Sequence, residues 1–318
     1  MESGGNVYKV NASSTISERK LRDYTGKKKR KRGPLDVPFL LLTLIILIIG
    51  VIMVLSASYA TAYLKSGNAT KYFVRQLIFA VSGVGLMLLF SMFPVSFYRK
   101  NSMLLLIVSL FLLLLVPFIG VEDNGAKRWI DLKVTTFQPS EITKMAIVLS
   151  FAAMSCTFKE KMKTFKYGVL PFALILVVTV GLLVLEPHLS ASVIIIAVGA
   201  IMMFAGGTQL KWFLGVAGVT GAAGWVAIGK LGYAAARISS WRDPFSDMQG
   251  DGYQIVQSLY AIGSGGFLGV GFGQSRQKFL YLPEEHNDFI FSVVCEELGY
   301  VGAVLILLLF ALLVIRGY

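Results

Sequence analysis

Charge is scarce in this chain. Only 15% of its 318 residues are Asp, Glu, Lys or Arg, while 55% are hydrophobic. A soluble domain carries roughly 25% charged residues, so the polar side chains needed to cover a globule of this size are missing. That shortage excludes a soluble enzyme and a disordered chain. Cysteine is equally rare. Cys156 and Cys295 are the only two, which excludes a disulfide-stapled secreted domain. Both fall in apolar segments, have no partner at metal or disulfide spacing, and read as small apolar residues. The charges that do occur are unbalanced, 30 basic against 18 acidic, a net +12. A nucleic-acid binder carries such an excess on a charge-rich soluble surface, and this chain has none. An integral membrane protein remains.

Residues 1–36 form a separate basic tail with ten basic and four acidic residues, including the run Lys27 to Arg32. It reads as a solvated cytoplasmic segment able to touch anionic lipid headgroups. It is no signal peptide, because the apolar stretch that follows has no small-residue cleavage site and is long enough to span. A spanning helix needs about 20 mostly apolar residues. Such segments occur at 37–58, 72–93, 102–120, 138–157, 167–186, 189–206, 211–230 and 288–315. The fold expected is therefore an all-α polytopic membrane protein with about eight transmembrane helices. A polar stretch, 231–287, makes one large extracytoplasmic loop between the seventh and eighth, with an amphipathic patch at Gln254–Ile262. With the N-terminus in the cytoplasm, the inner segments hold eighteen basic and five acidic residues and the outer ones eleven and ten. The charge excess is thus a topology signal.

Two smaller patterns have bland readings. Gly215, Gly218, Gly221 and Gly224 make a small-residue face suited to close helix packing. Asn68-Ala69-Thr70 fits a glycosylation sequon that matters only in a eukaryotic secretory pathway.

Ionisable residues at bilayer depth are costly and mark sites or packing devices. Glu141 and Lys144 share one face of the 138–157 segment and can pair, with Pro139 at the first turn. Glu296 and Glu297 interrupt the last apolar run, and a contact between Lys144 and one of them is the expected neutralisation. Asp288 lies at the outer end of that run, in Pro283-Glu284-Glu285-His286-Asn287-Asp288-Phe289. A carboxylate half desolvated at the water–lipid boundary suits a general base, and a helix N-cap is the alternative. Gly263-Ser264-Gly265-Gly266 and Gly269-Val270-Gly271-Phe272-Gly273 do not match a dinucleotide fingerprint and no Walker lysine follows. Their backbone N–H groups beside Arg276 and Lys278 could still hold a pyrophosphate, and Arg237 and Arg242 on the same loop suit an anionic headgroup. A solvated or lipid-facing loop is the competing reading.

Several of these stretches resemble one family. They are Met53-Val54-Leu55-Ser56-Ala57-Ser58, Asn124-Gly125-Ala126-Lys127-Arg128-Trp129-Ile130, Gln138-Pro139-Ser140-Glu141, the run from Gln257 to Gly266, Gly273 to Lys278, His286 to Phe291, and Glu296-Glu297-Leu298-Gly299. Together they are similar to the SEDS family (shape, elongation, division and sporulation), and to its FtsW/SpoVE branch more than to its RodA branch. The resemblance covers about residues 35–318. It implies a peptidoglycan glycosyltransferase that polymerises lipid II into glycan strands at the outer face of the bacterial plasma membrane. It makes Asp288 the catalytic residue. Lys127, Arg128, Trp129, Arg242, Arg276, Lys278 and His286 become the expected substrate contacts, and Glu141, Lys144, Glu296 and Glu297 an intramembrane network.

Side-chain cations, or a divalent cation such as Mg or Mn, would stabilise the departing undecaprenyl pyrophosphate. The implied partners are lipid II, a class B penicillin-binding protein that crosslinks the product, and divisome proteins. A lipid II flippase and a non-catalytic divisome scaffold are the rival functions. Two departures stand out. His188 occupies a position where the family has an acid, in Glu186-Pro187-His188-Leu189. The family also has ten spanning helices, whereas this chain ends at Tyr318, soon after the eighth, so the 37–318 domain reads as C-terminally truncated.

Overall fold

A computed structural model describes residues 35–123, 126–133, 135–186, 189–215, 239–250 and 252–318. The basic tail (save Leu35 and Asp36), most of the 211–230 segment with its glycine face, and His188 lie outside the described residues. The chain divides into two units, one of residues up to Gly50 together with Val304–Tyr318, the other Val51–Ala303.

Long apolar runs become helices because a backbone in lipid must satisfy its own hydrogen bonds. The elements are α1 (Val37–Ser66), α2 (Lys71–Ser91), α3 (Val95–Ile119), α4 (Pro139–Phe158), α5 (Leu170–Leu185), α6 (Leu189–Ala205), α7 (Tyr253–Ser264) and α8 (Ile290–Gly317). Six described helical segments are long and apolar enough to cross a bilayer, namely Val37–Ser66, Lys71–Ser91, Val95–Ile119, Pro139–Lys163, Phe165–Leu185 and Ile290–Gly317. The predicted 189–206 segment is present as the 17-residue α6, shorter than that length. To this helical architecture the structure adds a small antiparallel sheet between α3 and α4. Its strands are β1 (Val121–Asp123), β2 (Ala126–Asp131) and β3 (Thr136–Phe137), in the order β1-β2-β3.

In the smaller unit, Asp36 Oδ1 accepts the Phe39 N–H at 3.1 Å and so caps the start of α1. Its carboxylate also receives the Arg316 guanidinium, Nε and Nη2 each at 3.1 Å. The Phe39 N–H first, and then Arg316, hold the Asp36 carboxyl below its usual range. The start of α1 and the end of α8 therefore lie on one face of the membrane.

In the larger unit, α3, α4, α5 and α6 share a core of Leu106, Leu113, Ala146, Ile147, Phe151, Phe172, Leu183 and Ile195. Phe151 meets Phe172 edge-on at 4.8 Å. Much of what remains outside that core is apolar, such as Val95, Phe118 and Val177. This is the surface lipid covers, and it accounts for the shortage of charge. The amphipathic patch forms α7, which buries Val256, Ser258 and Ala261 on one side and leaves Leu259, Tyr260 and Ile262 exposed on the other. Ser258 and Ser292 join α7 to α8 through their hydroxyls at 2.8 Å.

α8 is broken at Gly299, where φ is 66° and ψ −167°. The loop of residues 265–271 fills the break. Tyr300 and Val301 N–H donate to the carbonyls of Gly266 and Phe267 at 3.0 and 3.2 Å. Val270 and Gly271 N–H donate to the carbonyls of Glu296 and Glu297 at 2.9 and 3.1 Å. The hydrogen bonds lost by the kink are thus replaced from the loop. Such backbone contact admits no side chain: a Cβ at Gly265 would strike the Cys295 carbonyl, one at Gly269 the Glu297 carbonyl, and one at Gly299 the Gly269 nitrogen. Gly299→Ala, strained by both its positive φ and this collision, is expected to lose about 2 kcal/mol or more of stability. Gly263→Ala, whose Cβ meets nothing within 4 Å, should leave stability unchanged or slightly raised. Thermal unfolding of the two detergent-solubilised variants checks the contrast.

Candidate active site

Glu296 and Glu297, each 1% exposed, sit in the half of α8 before the break. Lys278 reaches them from the loop, and its Nζ lies 2.7 Å from Glu297 Oε1. The same ammonium donates to the Gly273 carbonyl at 2.7 Å and to Ser56 Oγ at 3.1 Å, so all three of its protons are used. Ser56 Oγ in turn donates to the Glu297 carboxylate at 2.7 Å. Glu296 is held separately, by Ser275 Oγ at 2.6 Å and the Arg276 N–H at 2.8 Å.

This network corrects three expectations. Lys144 does not neutralise Glu296 or Glu297. It pairs along its own helix with Glu141 at 2.8 Å, where three-residue spacing brings the two together at a partly exposed position. Lys278 is not an outer-loop contact for substrate, because it is 3% exposed and every donor is engaged. The glycine runs are not a phosphate cradle either. Their N–H groups at Val270 and Gly271 are given to α8, and their glycines serve the close approach of two backbones.

A cavity of about 800 Å³ is bordered by Val54 of α1, two residues before Ser56 in the chain. α2 contributes Tyr72, Arg75, Gln76 and Phe79, the sheet contributes Trp129 and Phe137, and the turn before α8 contributes His286 and Asn287. Arg75 lies 5.7 Å from the Phe79 ring centroid and donates to Thr135 Oγ1 at 3.2 Å. It makes no ion pair with a carboxylate among the described residues. The His286 ring packs on Tyr72 with centroids 4.6 Å apart, and its Nδ1 lies 3.5 Å from Glu285 Oε1. Burial pushes the Glu285 carboxyl up, but His286, Thr61 and the backbone outweigh it and leave the group below its usual range.

Asp288 follows directly after Asn287, in a tight turn in which Asn287 Nδ2 donates to Glu284 Oε2 at 2.7 Å. It is exposed rather than half desolvated. The helix starts only at Ile290 and Asp288 caps none of its N–H groups among the described residues, so the cap reading falls away.

The other expected contacts separate. Successive residues of a strand point to opposite faces: Trp129 faces the cavity, while the charge of Arg128 acts on Glu186. Lys127, Arg242 and Arg276 are exposed and do not line the cavity. Arg75 and Tyr72 were missed from sequence, although Arg75 is an ionisable residue inside an apolar run and carries the signal that singled out Glu141 and Glu296. No three His, Cys, Asp or Glu side chains come together among the described residues. Among the described residues, such side chains alone make no cage for a cation.

Glu186, at the end of α5, is 1% exposed and its Oε1 has no hydrogen-bond partner among the described residues. Burial pushes its carboxyl up to about 7, with Arg128 pulling the other way.

A family profile described as cell cycle protein, FtsW/RodA/SpoVE, matches residues 37–318. The chain is 39% identical over 295 residues to stage V sporulation protein E of Bacillus subtilis (strain 168), covering 91% of this chain and 79% of that protein. It is 38% identical over 290 residues to the probable peptidoglycan glycosyltransferase FtsW of Pseudomonas fluorescens (strain SBW25), covering 89% and 70%. Among solved structures it matches one described as structural coordination of polymerization and crosslinking by a peptidoglycan synthase complex. There the TM-score is 0.68 at 28% identity, over 88% of this chain and 76% of the other.

Two predictions follow from the buried groups. Lys278→Met strands Glu297 in the interior and is expected to lose about 3–5 kcal/mol. Lys278→Met/Glu297→Gln should lose less than that single variant, read as unfolding midpoints in one detergent. Glu186 binds its proton more tightly folded, at about 7, than at its ordinary value of 4.5. Its contribution is complete below that ordinary value and is lost as pH rises through about 7. Unfolding scans from pH 5 to 8 should show this fall in the parent chain and a flatter profile in Glu186→Gln.

Proposed function

We infer that this chain, which belongs to the FtsW/RodA/SpoVE family of cell cycle proteins, is a membrane-embedded peptidoglycan glycosyltransferase that polymerises lipid II. The observation that carries this reading is the turn His286-Asn287-Asp288. It sets an exposed carboxylate directly after two residues that line a cavity containing an arginine free of any carboxylate partner among the described residues.

The chemistry assigns each group one task. The donor sugar is α-linked to undecaprenyl pyrophosphate. The 4-hydroxyl oxygen of the acceptor sugar attacks the anomeric carbon, its proton passes to the Asp288 carboxylate, and the bond to pyrophosphate breaks. The new linkage is β, so the reaction inverts. Charge accumulates on the departing pyrophosphate, and Arg75 is the cavity's fixed cation for it. Trp129, Tyr72 and His286 offer ring faces and polar edges for the sugars. A divalent cation would be held largely by the substrate's own phosphate oxygens, with Asp288 as a protein carboxylate within its reach.

The polyprenyl tail requires entry from the bilayer plane. α2, which buries none of its residues, leaves an apolar surface beside the cavity for that tail or for a partner's helix. A class B penicillin-binding protein is the partner that would crosslink the strands, with divisome proteins around it. The cytoplasmic N-terminus rests on the distribution of basic residues. It puts the cavity on the outer face of the plasma membrane.

Purified chain incubated with lipid II should yield glycan polymer. Asp288→Asn should reduce polymer at least a hundredfold at unchanged thermal stability, and Arg75→Gln about tenfold or more. Lipid II translocation with no polymer from either the parent or Asp288→Asn would overturn the enzyme in favour of a flippase.

A further inference from the structure

At the membrane face opposite the cavity lies a second cluster, which the glycosyl transfer does not use. α4 ends in a tight turn, Lys159–Lys163, begun by Lys159 at a positive φ of 47°. A short helical turn, Phe165–Gly168, then leads into α5. Met162, 1% exposed, anchors this linker in the core. The chain after α6 packs against it: Thr208 Oγ1 donates to the Gly168 carbonyl at 3.1 Å, and the Phe165 and Trp212 ring centroids are 5.0 Å apart.

The charges on this ledge are one-sided. Lys159, Lys161, Lys163, Lys166 and Lys211 are all exposed, with Glu160 as the one acid in the linker. Glu160 is occupied by Lys163 at 2.9 Å. The other four lysines have no carboxylate partner among the described residues. Their heads are placed by rings. Lys161 and Lys166 Nζ lie 5.3 and 5.9 Å from the centroid of the same Tyr167, and Lys211 Nζ lies 5.1 Å from the Trp212 ring. Two ammonium groups beside one tyrosine ring repel each other, and a neighbouring phosphate offsets that repulsion. Interfacial Tyr and Trp sit at headgroup level, so the anion at hand there is a lipid phosphate.

We propose that Lys161, Lys166 and Lys211, set by Tyr167 and Trp212, form a binding site for the phosphate headgroup of an anionic phospholipid. The site stands on the membrane-spanning architecture and does not depend on the glycosyltransferase reading. Grouping at helix ends, beside rings and on a packed linker, distinguishes these lysines from basic residues spread along a flank.

The test titrates the full chain in neutral detergent with cardiolipin and counts bound lipid by native mass spectrometry. Lys161→Gln/Lys166→Gln/Lys211→Gln should weaken cardiolipin binding on the order of a hundredfold. Lys211→Gln alone, an exposed change that spares the fold, should weaken it about fivefold. Arg99→Gln/Lys100→Gln, which removes two charges elsewhere on the same membrane face, should leave it within about twofold. Phosphatidylcholine should bind weakly to every form. Wild-type affinity in the triple variant or in Lys211→Gln overturns the site. So does an equal loss in the Arg99/Lys100 variant, or equal affinity for phosphatidylcholine. Displacement of cardiolipin by millimolar inorganic phosphate overturns the lipid as the ligand.

Discussion

Two adjacent glutamates inside an apolar helix can be carried only if something brings them charge or donors. Here a lysine 19 residues earlier does so for Glu297, and backbone N–H groups with a serine do so for Glu296. Desolvation of an ion costs several kcal/mol, so the loop bearing Lys278 has no freedom to lie elsewhere. From that constraint much of the local structure follows. The loop must run back along α8, which requires glycines at 265, 269 and 299. The helix must open at Gly299 to give and receive the loop's hydrogen bonds.

The same constraint serves the chemistry at one remove. The Lys278–Glu297 pair is buried, with every Lys278 donor engaged. It holds the two ends of the segment that contains the His286-Asn287-Asp288 turn, because Lys278 and α8 bracket it. A catalytic carboxylate on an unsupported loop would wander by more than the fraction of an ångström that proton transfer tolerates. Here the turn is tied from below by a buried pair and from the side by the packing of His286 on Tyr72. The exposure of Asp288 suits its proposed role as a base that must meet a substrate.

Charge in this protein is sorted into three environments with different rules. In the interior it is paired and structural, as at Glu297. At the cavity it is left without a counter-charge, as at Arg75, which can then accept an anion. At the opposite face it is concentrated on an aromatic ledge, where the membrane itself supplies the counter-ion. Half of the chain's +12 excess lies in the basic tail of residues 1–36, so the net charge carries no single message about partners.

What could be read from the chain alone follows from local physics. Apolar length marks the spans, because lipid demands it at every residue of a helix. The Gln254–Ile262 pattern marks α7, because helical periodicity acts over a few residues. The turn bearing Asp288 could be recognised from its neighbours. Arg75 carries the same signal as Glu141, an ionisable residue in an apolar run. The partner of Glu297 was not legible. Lys278 and Lys144 are both single cations near an apolar segment, and nothing local distinguishes the one that turns inward. That choice rests on a return path through an irregular loop, on three glycines whose missing side chains matter only once two backbones touch, and on a kink that an isolated Gly in an apolar run does not announce. Hydropathy and helical period decide which segments enter the membrane, because each residue meets the same solvent. Only the tertiary structure decides which charges face one another, because pairing depends on approach in space.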